Sequence, residues 1–336
     1  MRARFRTLPC IPLALALVVL LGVVLRRHPS LVIAATQSAP PTTAPHIEGC
    51  PVFPPDNVWN TPIDKLPVNS HSGAYVMTMG PEIGLHPDFT PNPFNGIPYT
   101  VIHSDQPPVK VAFEIEDESD PGPYPVPPDA PIEGGPDSEG DRHILLIDTD
   151  KCTLFELYQV HYQPDDTWKA YSGVKIDLHS NELRGADKTS ADAAGLPIFP
   201  GLVRYDEIEA GEIRHALRFT VPKTQRAYIW PARHRASNIT DQRYPPMGVR
   251  FRLRAGVNIS HYSKTNQIIL TALKRYGMIL ADNGGPWFIS GTPDIRWDES
   301  DLLSLHRISG RDFEAVDESS LMLSPNSSQV KATAAH

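Results

Sequence analysis

A predicted hairpin in the middle of the chain carries three residue types that acid–base catalysis uses. Its strands span 142–148 and 153–162 and are joined by a tight Thr-Asp-Lys-Cys turn. The register set by this turn places His143 across from Tyr158 and puts Glu156 on the same face. A base, a proton donor and an orienting carboxylate are the parts that a uronate lyase requires. A structural hydrogen-bond cluster is the alternative interpretation of the same trio.

The segment 211–254 inverts the charge of the chain, with ten basic residues against two acidic ones. Guanidinium groups bind carboxylate and sulfate groups bidentately and stack on aromatic rings such as Trp230. Period-two alternation puts the arginines of two predicted strands on one face of each strand. We therefore predict a concave surface that binds an anionic polysaccharide through Trp230 and through Arg214, Arg218, Arg250 and Arg252. The alternative is a solvent-facing surface on which each arginine pairs with surplus carboxylates.

Two other function classes fit the sequence. Glu114 and Glu116 lie two apart on a predicted strand, about 6.6 Å apart at the backbone, near the carboxylate separation of retaining glycosidases. The same pair also matches the polar face of an ordinary half-buried strand. The third class is a non-catalytic cell-surface module that holds polysaccharide without cleaving it. Lyase chemistry is thus the first prediction, with glycoside hydrolysis and binding alone as alternatives.

No metal or cofactor is predicted from the sequence. The acidic run 116–120 and the Asp148–Asp150 pair offer the oxygen ligands that calcium takes. An EF-hand count that starts at Asp148 fails, because Thr153 stands where glycine is needed and Gln159 where glutamate is needed. These carboxylates are therefore interpreted as solvated turn residues. Zinc-helix, nucleotide-binding and serine-hydrolase motifs are absent from the sequence.

The elements that must position these residues are mostly strands. Apolar runs and alternation predict strands at 111–117, 142–148, 153–162, 213–221, 226–230, 249–255, 278–281 and 287–290. Asn283-Gly284 predicts a hairpin between the last two. Helices are expected at Thr265–Tyr276, ended by Gly277, and from Asp298 through Leu305. With 35 prolines in 336 residues, we predict an all-β fold, a β-sandwich or jelly roll with long Pro-rich loops, and a barrel of six or seven strands is the alternative.

The N-terminus predicts export. Three arginines in the first six residues precede an apolar run from Ile11 to Leu25, which is the layout of a secretory signal. An uncleaved membrane anchor is the alternative, and either one predicts a secreted or cell-surface protein. The predicted organisation is a signal peptide or anchor at 1–35, a Pro/Thr linker at 36–48, one β-rich domain at 49–324 and a disordered tail at 325–336.

Charge and cysteine content limit the partners. Without residues 1–35 the chain has 26 basic and 39 acidic residues and a formal charge of −13, which disfavours general nucleic-acid binding. A polysaccharide is the predicted partner of a monomer, and membrane contact is expected only through an uncleaved N-terminal segment. Cys50 and Cys152 remain as a pair, so an oxidising compartment predicts one disulfide, with two buried free thiols as the alternative.

Several segments resemble a group of mostly uncharacterised exported bacterial proteins. They are DNVWN (56–60), ESDPGPYP (118–125), DRHILLID (141–148), TSADAAGLP (189–197), RHALRFT (214–220), WPARH (230–234) and YGMILADNG (276–284). The resemblance covers nearly the whole exported part of the chain. It implies one contiguous domain and a secreted protein, and it implies no activity, cofactor or catalytic residue.

Overall fold

Strands dominate the regular structure of residues 44–331, the part of the chain that this computed structural model describes. In chain order they are β1 (His46–Ile47), β2 (Cys50–Pro51), β3 (His86–Asp88), β4 (Tyr99–Ile102), β5 (Val111–Phe113), β6 (Ile144–Asp148), β7 (Thr153–Tyr158), β8 (His161–Tyr162), β9 (Trp168–Ala170), β10 (Ser172–Asp177), β11 (Leu217–Val221), β12 (Arg250–Leu253), β13 (Met278–Asn283), β14 (Phe288–Ser290) and β15 (Phe313–Ala315). The helices are short: α1 (Ser72–Met79), α2 (Tyr205–Ala210), α3 (Lys264–Arg275) and α4 (Glu299–Leu302). Single turns of 3₁₀ helix lie at Val58–Asn60, Glu116–Glu118, Phe199–Gly201, Leu303–Arg307 and Gly310–Asp312.

The strands form several separate sheets. A six-stranded sheet has the order β15-β12-β13-β11-β14-β3, a four-stranded sheet β10-β7-β6-β4 and a three-stranded sheet β5-β9-β8, and β1 pairs with β2. The fold is mostly sheet with few short helices, as predicted, and the sheets do not close into a barrel. Parallel pairs such as β11 with β13 and β4 with β6 occur beside antiparallel ones. A jelly roll is antiparallel throughout, so the mixed sheets depart from that form, and the sandwich arrangement stays a prediction.

One apolar core is shared by the two larger sheets. The four-stranded sheet contributes Leu145 and Leu154, and the six-stranded sheet contributes Phe219, Phe251 and Leu280, all essentially inaccessible to solvent. Both faces of β11 are covered, because all five of its residues are buried. A polar side chain on this strand must therefore find its partners inside the protein.

The predicted hairpin register is confirmed. Leu145 pairs with Glu156 and Ile144 with Leu157, so the two strands meet in the register that the short turn between Asp148 and Thr153 sets. The helix predicted at Thr265–Tyr276 is α3, one residue earlier. Ser263 caps its start by accepting from the backbone N–H of Asn266. Gly277 follows with a φ of 69°, the left-handed conformation that commonly ends a helix.

Several strand predictions are wrong in part. The Asn283-Gly284 hairpin does not form, because β11 lies between β13 and β14 and pairs with both. The segment 226–230 makes only isolated bridges, since the prolines around it cannot donate to a ladder. The strand predicted at 111–117 ends at Phe113, and Glu116 begins a 3₁₀ turn.

The ends of the domain lie further out than predicted. Ala44 and Ile47, placed in the predicted linker, are buried, and β1 pairs with β2. At the other end Gln329 forms a bridge with Asn57, and Ser328 is buried. Residues 44–48 and 325–331 are thus part of the domain. The predicted signal segment at 1–35 lies outside the described residues. Among residues 44–331, no helix has the length and apolar character needed to span a membrane.

The predicted disulfide is confirmed. Cys50 and Cys152 are bonded, with their Cα atoms 5.3 Å apart and 102 positions between them in sequence. The bond ties the first strands of the domain to the β6–β7 turn. In the chain-entropy model a loop of this length contributes up to about 4.7 kcal/mol to stability.

Candidate active site

The most polar part of the interior is a row of side chains across the six-stranded sheet. Asp88 on β3 pairs with Ser290 on β14. The β14–β11 register continues the row to Arg218. On β13, Asp282 pairs with Thr220, which lies two residues after Arg218 on β11 and therefore on the same face. Paired residues of neighbouring strands point to the same face, so these four side chains share one face.

Arg218 forms the centre of the row. Its Nε and Nη2 donate to the two oxygens of Asp192 at 2.7 and 2.8 Å, and Nη1 donates to Ser290 Oγ at 2.6 Å. Nη2 also lies 3.4 Å from Asp282 Oδ2. Burial alone would lower the pKa of Arg218, but Asp192 outweighs it and the pKa is raised. Arg218 is a fixed cation, with the carboxyl group of Asp192 on one side and that of Asp282 on the other.

The two outer carboxyls of the row remain accessible. The side chain of Asp282 is 23% exposed, and that of Asp88 is 58% exposed. Burial, followed by the charge of Asp192, raises the pKa of Asp282 to about 7. Burial, followed by the charge of Glu133, also raises the pKa of Asp88. Each of these two carboxyl groups therefore meets solvent on one side and is enclosed by protein on the other sides.

A second group of polar residues lies where β6 begins. His143 Nδ1 is 2.5 Å from Glu133 Oε2, and His143 Nε2 is 3.0 Å from the carbonyl oxygen of Ala191. Burial would lower the pKa of His143, but Glu133 raises it to about 9. The pKa of Glu133 is lowered in turn, because His143 outweighs the effect of burial. Asp141 completes the group, and one ligand atom from each of the three residues lies within 4.8 Å of the others.

The predicted catalytic trio is only partly assembled. The rings of His143 and Tyr158 are neighbours, 5.3 Å apart at their centroids. His143 is not placed to abstract a substrate proton, because Nε2 donates to a carbonyl and Nδ1 faces Glu133. Glu156 is fully buried and accepts the backbone N–H groups of Ile198 and Phe199. It therefore holds the start of a 3₁₀ turn instead of orienting His143.

Tyr158 lies close to the carboxyl groups of Asp141 and Asp282. Burial, followed by the charges of Asp141 and Asp282, raises its pKa. Its ring packs edge-on against Tyr171 at 5.7 Å, and Tyr171 is 39% exposed. These two rings provide a partly exposed aromatic surface next to the polar row.

The predicted basic surface is not formed by the buried arginines. Arg250 is fully buried, bonded to Glu318 and to three backbone carbonyls, and Arg252 pairs with Glu314 and is 12% exposed. Arg218 is buried in the row described above. Alternation correctly grouped these side chains on one face of each strand, but other segments cover that face.

The two remaining predicted ligand residues lie elsewhere. Arg214 is 3.4 Å from Glu212 and about one third exposed. Trp230 is half-buried, and its Nε1 donates to the carbonyl oxygen of Ser327. Glu114 and Glu116, the predicted hydrolase pair, are exposed on the surface near the end of β5.

Five acidic residues of the site were not singled out from the sequence: Asp88, Glu133, Asp141, Asp192 and Asp282. A usable signal was present, because the segments DRHILLID, TSADAAGLP, RHALRFT and YGMILADNG each contribute to the cluster. Asp141, Asp192, Arg218 and Asp282 come from these four segments in that order. Segments far apart in sequence that each carry an ionisable residue are candidates for one site.

The buried acids predict a pH-dependent stability. Burial raises the pKa of Glu156 to about 7, although the N–H groups of Phe199 and Ile198 favour the charged form. The unfolded chain releases this proton near the ordinary value of 4.5, so the folded state binds more protons in between and stability falls as pH rises through that window. We expect a melting temperature several degrees lower at about pH 7.5 than at about pH 5.

Glu156→Gln separates this contribution from the others. The variant should lose the part of the pH dependence that comes from Glu156. The part that comes from Glu318, whose pKa burial also raises to about 7, should remain. Glu114→Gln, on the surface, is the matched control and should follow the unmodified protein. An undiminished pH dependence in Glu156→Gln would contradict the assignment.

A shallow depression elsewhere on the surface contains none of these carboxylates; it is lined by Gly211, Glu212, Ile213, Lys264, Gln267 and Arg275, among others.

Comparison with known proteins adds no assignment: the chain matches no family model, no curated protein and no solved structure. The chemistry of the site therefore rests on its own geometry.

Proposed function

We propose that this protein is an exported glycoside hydrolase that acts through carboxylates of the polar row. Asp282 would donate a proton to the leaving oxygen, and Asp88 would take a proton from the attacking water. This is the second function considered from the sequence, with a different pair of acids. Arg218 and Asp192 position the pair and do not touch the substrate.

The observation that carries the proposal is two accessible carboxyls on one sheet face, separated by a fixed arginine. Three strand spacings, with an offset of two residues along the strands, put the Cα atoms of Asp88 and Asp282 roughly 16 Å apart. Asp282 turns toward Arg218, which shortens the gap between the carboxyl groups. Inverting glycosidases hold their carboxyls about 6.5–9.5 Å apart to admit water, whereas retaining enzymes need about 5–5.5 Å. The wider arrangement favours inversion.

The charge of the site favours a neutral or cationic glycan. Asp88, Glu133, Asp141, Asp192 and Asp282 stand against only Arg218 and His143, an environment that repels a uronate polymer. The rings of Tyr158 and Tyr171 offer a surface on which sugar rings can stack. The lyase reading is set aside, because His143 has no nitrogen directed at a substrate and Arg250 is inaccessible.

Export and the layered fold belong to the same proposal. The apolar N-terminal run predicts secretion, and a disulfide is typical of proteins in an oxidising compartment. The core shared by the four- and six-stranded sheets supports a sandwich arrangement of those two layers. A binding module without catalysis is the second candidate, favoured by the partly exposed pair of Tyr158 and Tyr171.

Product analysis of the purified protein tests the proposal. It is incubated separately with a neutral glucan, an arabinan, chitosan and alginate, and new reducing ends are measured together with the ultraviolet absorbance of unsaturated uronates. Reducing ends from a neutral or cationic polymer, without that absorbance, are expected. Unsaturated products from alginate would overturn the proposal in favour of a lyase, and retention on a glycan gel without any product would overturn it in favour of a binding module.

A further inference from the structure

We propose that Glu133, Asp141 and His143 form a binding site for a first-row divalent transition-metal ion, with Zn²⁺ as the preferred ion and His143 coordinating through Nδ1. The inference does not depend on the proposed hydrolysis, because it concerns the cluster at the start of β6 and not the acid–base pair of the row.

The ligand geometry is close to that of a metal site. Glu133, Asp141 and His143 each present one ligand atom within 4.8 Å of the others. Ligands bonded to one zinc ion at about 2.0–2.2 Å can be separated by at most twice that bond length, so small side-chain rotations suffice. The ion would replace the proton that now lies between His143 Nδ1 and Glu133, and that proton is released to solvent.

The second nitrogen of His143 is already fixed in the way that metal sites require. A carbonyl oxygen can only accept, so Nε2 must donate its N–H to Ala191 at 3.0 Å. That bond fixes the tautomer, so Nδ1 can bind a metal once it has lost the proton that it shares with Glu133. Metal-ligating histidines almost always donate their other N–H to a carbonyl or carboxylate. His143 is also 99% buried, so the ring has little freedom to turn away.

The backbone holds the three ligands in place. Glu133 N–H donates to the carbonyl oxygen of His143 at 3.0 Å, which ties the two segments together. Between them Gly134 and Gly135 have φ values of 74° and 90°, so the chain turns sharply back toward β6. Asp141 lies three residues before the start of that strand and is exposed, which leaves an open side for water and for entry of the ion.

Donor type and charge select the ion. An imidazole nitrogen with two carboxylates suits Zn²⁺ or Mn²⁺, whereas Ca²⁺ and Mg²⁺ prefer oxygen donors alone. The neighbouring Asp88 feels the charges of both Glu133 and Asp141. A divalent ion at this point would offset part of the excess negative charge around Asp88.

Metal binding is measured directly on the chelator-stripped protein, without glycan. Titration calorimetry and thermal shift with Zn²⁺, Mn²⁺ and Ca²⁺ in turn should give one equivalent of Zn²⁺, weaker Mn²⁺ binding and no Ca²⁺ binding, with a higher melting temperature in Zn²⁺. Asp141→Asn, on the surface, should retain its fold and bind Zn²⁺ at least about tenfold more weakly. Because no glycan is present, these results are independent of whether hydrolysis occurs.

Two controls make the result specific. Glu139→Gln, an exposed acid on the same loop, should bind as the unmodified protein does. The competing zinc ligands are His86 and His306, whose ring nitrogens approach to 3.0 Å, so His306→Asn should also leave binding unchanged. Absence of a stoichiometric Zn²⁺ site, full affinity in Asp141→Asn, or loss of the site in His306→Asn would each overturn the inference.

Discussion

Replacing Asp282 by asparagine should lower glycan hydrolysis by about 10²–10⁴-fold while the protein stays folded, because the variant loses its general acid. The two side chains have the same shape, and the amide oxygen of asparagine can still accept the backbone N–H of Asn283, which lies 2.6 Å from Asp282 Oδ1. Arg218 keeps its bonds to Asp192 and Ser290. Initial rates and melting temperatures of both proteins, measured side by side, check the expectation.

The pH profile identifies the group more specifically. Asp282 faces Asp192, Arg218 and Asp141, and Tyr158 approaches from β7. With a pKa raised to about 7, it carries its proton in mildly acidic solution and loses it above neutrality. Hydrolysis should therefore fall as pH rises past about 7, and this limb should be missing from the residual activity of Asp282→Asn.

Glu114→Gln is the matched control for this experiment. Glu114 is the acid that sequence spacing favoured for hydrolysis, and it is exposed at the end of β5, away from the polar row. It should hydrolyse at the unmodified rate. Full activity in Asp282→Asn together with a loss in Glu114→Gln would reverse the assignment and restore the sequence-based pair.

The sequence predicted those features whose structure depends on residues close together in the chain. The hairpin register follows from a short turn, so the pairing of Leu145 with Glu156 could be read from the sequence. Helix α3 has an N-cap serine and a glycine at its end, and both signals act within one turn of the helix. The disulfide followed from compartment and cysteine count.

The polar cluster could not be predicted in the same way, because it depends on which segments cover a sheet face. Alternation groups Arg250 with Arg252 but does not say whether that face meets solvent or other chain segments. Asp282 and Asp88 lie nearly 200 positions apart, and they share a face only because β11 and β14 come between β13 and β3. The Asn283-Gly284 turn failed for the same reason, since β11 displaced the local hairpin.

Arg250→Met should destabilise the protein by about 3–5 kcal/mol, because it leaves a buried acid and several carbonyls without their donor. Arg250 donates to the carbonyl oxygens of Val58, Thr61 and Tyr276 at 2.7–2.9 Å and to Glu318 at 3.0 Å. It thereby joins β12 to a 3₁₀ turn, to the end of α3 and to the C-terminal segment. The free energy of unfolding from urea titration measures the loss.

The neighbouring arginine of the same predicted face provides the control. Arg254 is 51% exposed and lies 3.4 Å from Glu314, and an exposed pair of this kind contributes about 0–1 kcal/mol. Arg254→Met should therefore change stability by no more than that amount. If both arginines instead served a ligand, both variants would lose glycan binding without a large difference in stability.

The double variant Arg250→Met with Glu318→Leu tests whether the loss of stability in Arg250→Met arises because Glu318 is left buried without its partner. Burial raises the pKa of Glu318 to about 7 even with Arg250 beside it, so the ion pair does not outweigh the cost of burying the acid. Removing both partners should then cost less than the sum of the two single changes, since no uncompensated charge remains. A fully additive cost would mean that the carbonyls of Val58, Thr61 and Tyr276, and not Glu318, are what Arg250 is needed for.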